Sequence, residues 1–584
     1  MVADLLLQRV DLLPQLENLA WSDDGSLAVN TAGQLSLYKP KYEKDEVKNA
    51  NSLFEIQRFE LASLPRNQIF QNEIDDEVGS TNYSAAEEAI VKFTWSPLTS
   101  SKVTYLALLT NTKSIHILAN GEAKHSIDRS LTQRVSTQKE LDDYITHSIE
   151  WLILGNVLVL LTGQANGTIK AYYVDDQSYK EVESITINEG VPIVQIKADQ
   201  NNLIAVTSTN EIYKISNPLQ ENSTPAQIIK EADRFKIYDI LLQTKKILYT
   251  SPSQFNIIDI ESGTKSTTTT NILDFSNIIP NGSNYLIVSH TKSIQLDKDL
   301  KLIQDNKVQS LRKRRVNRYN SKLDSINLKD DDFKILGIDY NHSGKVLAIL
   351  YSIEADLGFR YKITSQTYFK IAFITLDNDF KIQASPLATY QQFIISGVLP
   401  DSEIDSGVTE TNLDVSLAEY LKTNILNDRL ISGLISRNIV SRDQDLDIAK
   451  RYADLLVRYI NHSGLEFDNV LDKITYKSLL LLSTGGYNGA TIGKIEIKTD
   501  VFEETFNFDE INDLEPAKSE TGHEWNRCAL TFIPILSTDV KIDPVTQKRI
   551  IDIENDKLND YGFLTRTILE TLNEISIYSG CRYE

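Results

Sequence analysis

The side chains most able to bind a metal or attack a substrate are few in this chain of 584 residues. There are two cysteines, Cys528 and Cys581, and seven scattered histidines: His116, His125, His147, His290, His342, His462 and His523. None of the histidines lies in a recognisable nucleophile or metal motif. His523, Cys528 and Cys581 are one ligand short of the four that a closed structural zinc site needs. We therefore predict no metal, with Cys528 buried as a small apolar residue in a strand, ALTFIPI.

No segment predicts an enzyme. Gly485-Gly486-Tyr487-Asn488-Gly489 is rich in glycine but lacks the Lys-Ser/Thr pair that completes a phosphate-binding loop, so we interpret it as a turn. The chain also lacks a Q/R-x-x-G-x-G/A loop for acetyl-coenzyme A. We predict no catalytic residue, no enzyme activity and no cofactor.

One segment, KVQSLRKRRVNRYNSK at residues 307–322, is strongly basic and contains no acid. Its cations are Lys307, Arg312, Lys313, Arg314, Arg315, Arg318 and Lys322. We interpret it as a loop for which three readings remain open: contact with DNA phosphates, a nuclear-import signal, or a solvated loop.

A second segment, FEETFNFDEINDLEPAKSE at residues 502–520, interleaves aromatic and acidic side chains. Such a composition suits a basic partner, and the candidate contact residues are Phe502, Phe506, Phe508, Asp509 and Glu510. The alternative is that the aromatic rings fill the core of their own domain.

Seven copies of a strand–turn–strand pattern occupy the first four hundred residues. The clearest copy, WSDDGSLAVNTAGQLSLY from Trp21, places Asp24-Gly25 at a tight turn between alternating apolar residues. The other copies lie near Trp95, Trp151, Ile193, Ile237, Phe275 and Ile335. Their spacing is irregular against the roughly 40–45 residues of a regular blade, and no Trp-Asp dipeptide closes a copy. We predict a divergent, WD40-like, seven-bladed β-propeller over residues 1–395, with another all-β repeat as the alternative.

The periodicity changes after about residue 390. An acidic linker is predicted at 396–415, and a carboxyl-terminal α/β (α+β) domain at 416–584. Apolar residues at helical spacing, such as Ile448, Tyr452 and Leu456, predict amphipathic helices. Closer to the end we predict a β-hairpin around 543–547, a helix after Gly562, and a final strand at 575–578.

Composition limits the partners and the compartment. The net charge of −21 argues against a surface that broadly coats nucleic acid and favours protein partners. Two cysteines indicate a reducing, intracellular compartment, and no apolar run approaches the roughly 20 residues of a membrane span. The amino terminus lacks the features of a signal peptide.

The carboxyl-terminal motifs carry a resemblance. The block W-x-R-C-x-L-T-x-x-P-I-L from Trp525 is followed by VKI-x-PV-x-x-x-R-x-IDI, LNDYG, LTR and NEISIY-x-G. Together with FEETFNFDE at 502–510 and RYKITSQTYFKIAF at 360–373, this block resembles propeller-bearing subunits of transcription factor IIIC.

The resemblance implies a nuclear, non-catalytic subunit of an RNA polymerase III assembly factor. The implied partners are another propeller-bearing subunit and the large subunit of the module that binds the B-box promoter element. They also include the TATA-binding protein, and promoter DNA as part of the complex. Direct promoter reading through 307–322, or an adaptor role in another nuclear complex, remains the alternative. Animal relatives are similar at the hairpin and final strand but carry Cys-x-x-Cys pairs, where this chain has Asp543, Thr546, Ser576 and Ser579.

Overall fold

The computed structural model describes residues 4–7, 17–31, 34–42, 50–61, 70–84, 88–99, 103–127, 135–175, 177–220, 223–243, 245–303, 306–321, 329–340, 346–353, 369–376, 385–398, 412–426, 428–441, 443–484, 492–498, 503–508, 516–555 and 560–584. Contacts divide the chain into two compact units. The first unit comprises Met1–Asp379 and Ile394–Gly397, and the second comprises Phe380–Phe393 and Val398–Glu584.

Seven four-stranded antiparallel sheets make up the first unit, which confirms the predicted seven-bladed propeller. The amino-terminal strand is β1 (Leu5–Leu6), and the first sheet contains β2 (Leu19–Trp21), β3 (Leu27–Thr31), β4 (Gln34–Pro40) and β5 (Phe54–Glu60). A separate hairpin, β6 (Phe70–Asp75) and β7 (Ser80–Ser84), precedes the second sheet, which contains β8 (Ile90–Trp95), β9 (Tyr105–Thr110), β10 (Ile115–Ala119) and β11 (Glu122–Ile127). Helix α1 (Gln138–Tyr144) follows.

The remaining blades repeat the same order. The third contains β12 (Thr146–Leu154), β13 (Val157–Gln164), β14 (Thr168–Val174) and β15 (Tyr179–Thr186), and the fourth contains β16 (Ile193–Ala198), β17 (Asn202–Thr207), β18 (Ile212–Ser216) and β19 (Gln227–Lys230). The fifth contains β20 (Asp239–Gln243), β21 (Lys246–Ser251), β22 (Gln254–Asp259) and β23 (Lys265–Thr269), and the sixth contains β24 (Ser276–Asn281), β25 (Asn284–Ser289), β26 (Ser293–Leu296) and β27 (Leu302–Ile303). After helix α2 (Lys307–Asn320), the seventh adds β28 (Phe333–Tyr340), β29 (Val346–Ile353) and β30 (Lys370–Thr375).

The two ends of the propeller sequence meet in the seventh blade. β1 is its outermost strand and pairs antiparallel with β30, with Leu5 opposite Ile371. A strand from the start of the chain thus supplies the outermost strand of a sheet formed by the last propeller strands, which closes the ring.

Alternating residues explain why these segments form blades. In the first blade, Leu27 and Val29 lie on one face of the sheet and Leu35 and Leu37 on the other, and all four are at most 1% exposed because both faces of the blade are packed. Gly25 adopts φ 91° in the turn between β2 and β3.

Two of the tryptophans that mark the repeats link neighbouring blades. The indole N–H of Trp95 donates to Ala20 O at 3.4 Å, and that of Trp151 donates to Thr94 O at 3.1 Å. Each indole therefore ties its own innermost strand to the preceding one.

Helices and small sheets form the second unit. Its helices are α3 (Pro386–Ser396), which the contact division splits after Phe393, α4 (Leu417–Tyr420), which continues as a π-helical turn at Leu421–Ile425, α5 (Arg429–Ser441), α6 (Asp445–Ser463), α7 (Val470–Thr484) and α8 (Phe563–Thr571). Among its described residues, strands pair in three hairpins: β31 (Lys494–Lys498) with β32 (Glu503–Asn507), β33 (Ala517–Lys518) with β34 (Glu524–Trp525), and β35 (Val540–Ile542) with β36 (Arg549–Ile551). The predicted propeller followed by an α/β region is therefore confirmed.

The core of the second unit is apolar with hydrogen-bonded tyrosines. Ile448, Tyr452 and Leu456 of α6 are fully buried, as their helical spacing predicts. The Tyr452 hydroxyl donates to Leu530 O at 3.1 Å, so this buried polar atom is satisfied. The predicted hairpin at 543–547 is confirmed, because Val540 pairs with Ile551.

Two strand predictions in this unit are wrong. The segment ALTFIPI is a tight turn in which Cys528 N donates to Ile533 O at 2.8 Å and Phe532 N donates to Cys528 O at 2.8 Å. Residues 575–578 also turn back on themselves, with only an isolated bridge between Ile575 and Arg582. Both segments are apolar enough for strands, but their backbone hydrogen bonds close locally.

Candidate functional site

The basic segment forms helix α2 rather than the predicted loop. Asn306 caps it, since its side-chain oxygen accepts a hydrogen bond from Gln309 N at 2.8 Å. Val308, Leu311 and Val316 are at most 2% exposed and pack into the propeller core. An amphipathic face therefore orders a segment whose charge suggested a loop.

Several cations of α2 contact the protein itself. Arg312 is 5% exposed, donates to Thr291 O and lies 5.8 Å from the centre of the Phe333 ring. Arg315 pairs with Asp4 beside β1. These contacts stabilise the fold, so neither guanidinium is available to DNA phosphates.

The rest of the basic set divides between exposed and undescribed positions. Lys313, Arg314 and Arg318 are exposed, and Lys307 donates to Thr375 O at 2.7 Å. Lys322 lies outside the described residues. The exposed basic face of α2, which we define as Lys313, Arg314 and Arg318, is the part of the segment that could contact phosphate.

The acidic and aromatic segment lies partly in the core. Phe506 and Phe508 are 0% and 2% exposed, so their rings pack inside the second unit and do not face a partner. Phe502, Asp509 and Glu510 lie outside the described residues, and their role stays a prediction.

The candidate metal ligands near the end of the chain do not converge. Cys528 and Cys581 are buried free thiols, and burial raises the pKa of Cys581 to about 12. His523 instead contacts Glu504, with 2.6 Å between Nδ1 and Oε1. Hydrogen bonds from Thr521 and His523 lower the pKa of Glu504 to about 2. Within the described parts of the chain, no three His, Cys, Asp or Glu side chains are grouped so that they could hold a metal ion.

A buried carboxylate lies where the hairpin and the last turn of the chain meet. Asp543 is 0% exposed and accepts hydrogen bonds from Thr546 Oγ1 at 2.8 Å, Ser576 Oγ at 2.6 Å and Ser579 Oγ at 2.9 Å. The sequence signal for this site was the spacing, since two residues separate Asp543 from Thr546 and two separate Ser576 from Ser579. The fold therefore brings together the four positions at which this chain lacks the cysteines of the animal relatives.

The central channel of the propeller holds a second polar group. Its cavity of about 290 Å³ is lined by the innermost strand of every blade. Lys197 Nζ lies 2.7 Å from Glu150 Oε2, and the Glu150 charge raises the Lys197 pKa. Burial raises the pKa of Asp239 to about 6 and lowers that of Lys92.

These channel groups bond to the protein's own backbone. Lys92 Nζ donates to Val194 O at 2.9 Å, and Asp239 Oδ2 accepts from Ile278 N at 2.8 Å. Because Lys92 and Asp239 make hydrogen bonds between blades, we infer that they stabilise the packing of the innermost strands around the channel.

An exposed aromatic patch, defined as Tyr238, Leu273 and Phe275, lies beside this channel. Leu273 and Phe275 are 69% and 50% exposed. The Tyr238 and Phe275 rings are 5.1 Å apart, and the Tyr238 hydroxyl donates to Leu273 O at 3.0 Å. Lys236 Nζ lies 4.9 Å from the Phe275 ring, next to a cavity of about 580 Å³ that Lys236, Tyr238 and Phe275 help to line. Sequence reasoning missed the patch because these residues belong to different blades.

Fold and surfaces together define a β-propeller protein with a second, α+β unit. Residues 490–583 match the family described as the putative zinc-finger of transcription factor IIIC complex. The whole chain is similar to the transcription factor tau 60 kDa subunit of Saccharomyces cerevisiae, at 26% identity over 614 aligned residues that cover 100% of this chain and 99% of that protein. The resemblance predicted from the carboxyl-terminal motifs is therefore confirmed.

Solved structures with a likeness to the chain include Raptor from Chaetomium thermophilum, with a TM-score of 0.39, 11% identity, and coverage of 64% of this chain and 29% of that one. A chain of the mitotic checkpoint complex has a TM-score of 0.38 and 10% identity, and the match covers 63% and 91% of the two chains. BamB from Moraxella catarrhalis has a TM-score of 0.33 and 11% identity, with coverage of 61% and 84%. Among the described helices, none has the length and apolar character needed to span a membrane.

Proposed function

We propose that this chain is a non-catalytic subunit of the RNA polymerase III general transcription factor IIIC and acts in the nucleus as an assembly platform. The similarity to the tau 60 kDa subunit, which extends over nearly the full length of both proteins, carries this proposal. The family match at residues 490–583 also supports it, because the description of that family names the transcription factor IIIC complex. A propeller is suited to the role because its blades offer several surfaces on one rigid ring.

In this proposal the propeller pairs with a second propeller-bearing subunit in the B-box-binding module, alongside the large subunit of that module. The carboxyl-terminal unit contacts the TATA-binding protein and the initiation machinery. The net charge of −21 supports protein partners, because phosphate would be repelled over most of the surface.

The aromatic patch is the surface that we assign to the partner propeller. Exposed aromatic rings concentrate binding energy when a partner buries them, and Phe275 in this patch is half exposed. Lys236 lies 4.9 Å from the Phe275 ring, and burial followed by the charge of Asp274 raises the pKa of Tyr238, so the rim of the patch carries both signs of charge. A partner surface with charges of both signs, placed opposite Lys236 and Asp274, would complement that rim.

Affinity purification of the tagged chain tests both the proposed role in transcription factor IIIC and the assignment of the aromatic patch to the partner propeller. The wild type is expected to recover the other transcription factor IIIC subunits. A Leu273→Asp and Phe275→Asp double variant is expected to lower recovery of the propeller-bearing subunit about tenfold or more, since it places charge in the contact. Val182→Asp is the matched control, because Val182 is also exposed, at 42%, but lies on the outer strand of another blade.

The outcomes separate the surface from the function. Full recovery by the double variant would show that the patch is not the contact. Recovery of a different nuclear complex by the wild type would replace the proposed function with an adaptor role there.

Direct promoter reading remains a second candidate because α2 presents an exposed basic face. Lys313, Arg314 and Arg318 are the described side chains of this segment that could serve it.

A further inference from the structure

Three turns of the second unit share one backbone conformation: the turn at 528–533, where Phe532 adopts φ 59°, and two turns that meet at Asp543. In the first knuckle, which we define as residues 543–548, Asp543 N donates to Lys548 O at 2.9 Å and Gln547 N donates to Asp543 O at 2.9 Å. Gln547 adopts φ 61°, in the left-handed region.

The second knuckle, residues 576–581, repeats this pattern at the same offsets. Ser576 N donates to Cys581 O at 2.9 Å, and Gly580 N donates to Ser576 O at 2.8 Å. Gly580 adopts φ 68° at the position that corresponds to Gln547. Two segments with unrelated sequences therefore form the same tight turn as 528–533, and what distinguishes them is the carboxylate that they share.

The first and fourth residues of the two knuckles converge on one carboxylate. Asp543 Oδ2 accepts from Thr546 Oγ1 and Ser576 Oγ, and Oδ1 accepts from Ser579 Oγ. Oδ1 also accepts from the backbone N–H groups of Val545 at 2.8 Å and of Thr546 at 3.2 Å. We call this set of five hydrogen bonds the Asp543 cluster.

The serines of the second knuckle also bond within their own turn. Ser576 Oγ accepts from Tyr578 N at 3.1 Å, and Ser579 Oγ accepts from Cys581 N at 3.1 Å. Each hydroxyl thus donates to Asp543 and accepts from its own backbone, so the cluster fixes both the shape of the turn and its position.

Paired ligands separated by two residues, on two facing turns, are typical of four-ligand zinc sites. The family matched by residues 490–583 is described as a putative zinc finger. The residues of this chain do not fit that metal. Thr546, Ser576 and Ser579 offer neutral hydroxyls, whereas structural zinc is held by thiolate, imidazole or carboxylate. Only Asp543 has suitable chemistry, and its two oxygens accept five hydrogen bonds.

We propose that the Asp543 cluster joins the two knuckles in place of a zinc ion. A buried carboxylate is costly unless donors compensate it, and charge-assisted hydrogen bonds are stronger than neutral ones. The cluster therefore links the β35–β36 hairpin to the end of the chain without a metal. Because these four side chains converge, we expect the scaffold to place four ligands around one metal ion when all four residues are cysteine.

A gain-of-site experiment on the full-length chain tests the shared geometry. A variant with Asp543→Cys, Thr546→Cys, Ser576→Cys and Ser579→Cys is expected to bind one cobalt ion with the visible absorption of tetrahedral thiolate coordination. The matched control keeps the first three changes and replaces Ser579→Cys with Thr538→Cys, which adds the fourth thiol at an exposed position. It is expected to bind cobalt at least about tenfold more weakly.

The metal-independent lock is tested in the unmodified sequence. Chelator treatment should leave the melting temperature of the wild type unchanged. Asp543→Asn presents an amide N–H₂ to groups that donate, and we expect it to lower the melting temperature of the second unit by on the order of 5–10 °C.

Each opposite result overturns the proposal. Loss of wild-type stability on chelation would show that a metal is present. An unchanged melting temperature for Asp543→Asn would show that the Asp543 cluster does not stabilise the second unit. If the four-cysteine variant is unfolded without metal, the addition of zinc should restore its fold. Failure to regain it would show that the knuckles lack the ligand geometry.

Discussion

Buried carboxylates in this chain have different roles according to the groups that meet them. Asp543 accepts five hydrogen bonds between two turns. Asp239 lies in the propeller channel, where burial raises its pKa to about 6 despite the nearby Lys197 charge. Asp543 is therefore expected to stabilise its unit, whereas ionised Asp239 opposes folding of the propeller.

Replacing Asp239 should make the propeller more stable above pH 6. The folded pKa of about 6 exceeds the ordinary value of 3.8, so the contribution of Asp239 is favourable below about pH 4 and is lost as the pH rises through 6. Asp239→Asn removes this loss while its amide oxygen can still accept from Ile278 N. We expect a gain on the order of 2–3 kcal/mol at pH 8 and a smaller gain at pH 5.5.

Calorimetry of the full-length chain at both pH values would measure this difference. Glu231→Gln is the control, because it removes one carboxylate charge from an exposed position. An equal gain for both variants would attribute the effect to net charge rather than to burial.

At the scale of single elements, α2 shows why charge is a poor guide to order. Seven basic residues without an acid predicted a loop, but Val308, Leu311 and Val316 give the segment a buried face. Arg312 adds its own alkyl stem to that face, which a count of charges does not reveal. The helical spacing of the apolar residues was present in the sequence between the basic residues. Some of these basic residues contact the protein itself, and others are exposed to solvent.

Charge reversal on α2 should separate fold from DNA contact. Lys313→Glu, Arg314→Glu and Arg318→Glu together change only exposed side chains, so we expect the melting temperature to change little. For an assembly platform, promoter affinity of the assembled factor and its salt dependence should also stay unchanged. Arg312→Glu is the contrasting variant, because it buries a carboxylate. It should lower the free energy of unfolding by about 2–5 kcal/mol.

Filter binding of the assembled factor to promoter DNA over a salt series gives the readout. A slope of log affinity against log salt that falls by nearly one for each reversed side chain would favour direct promoter reading.

Sequence reasoning succeeded where periodicity is strong and failed where local hydrogen bonds decide the backbone. The alternation in the blades, the face of α6 and the start of α8 after Gly562 could all be predicted. The knuckle at 576–581 could not, because its apolar residues resemble a strand and its turn depends on Asp543, more than thirty positions away. The same limit hid the aromatic patch, whose members meet only across blades.

At the scale of the whole molecule, elements distant in sequence complete each unit. β1 finishes the seventh blade, and Asp4 beside it pairs with Arg315 and accepts from the Tyr351 hydroxyl at 2.6 Å. In the second unit, residues near 386 pack close to the end of the chain, since a Cβ at Gly580 would meet Pro386. The predicted limits of 395 and 416 stay predictions. Phe380–Phe393, which lie upstream of the predicted linker, belong to the second compact unit.

Expression of separate fragments should show where the units divide. A fragment of residues 1–395 is expected to fold as a mainly β protein, because it retains β1 and all seven blades. A fragment of residues 380–584 should fold with mixed helix and strand content and melt at a higher temperature than one of residues 412–584, which loses the 380–393 segment and its packing near Gly580. Far-UV circular dichroism with thermal melting measures both properties. Equal melting temperatures for the two carboxyl-terminal fragments would place the boundary at the acidic linker, whereas two unfolded fragments would show that the units depend on each other to fold.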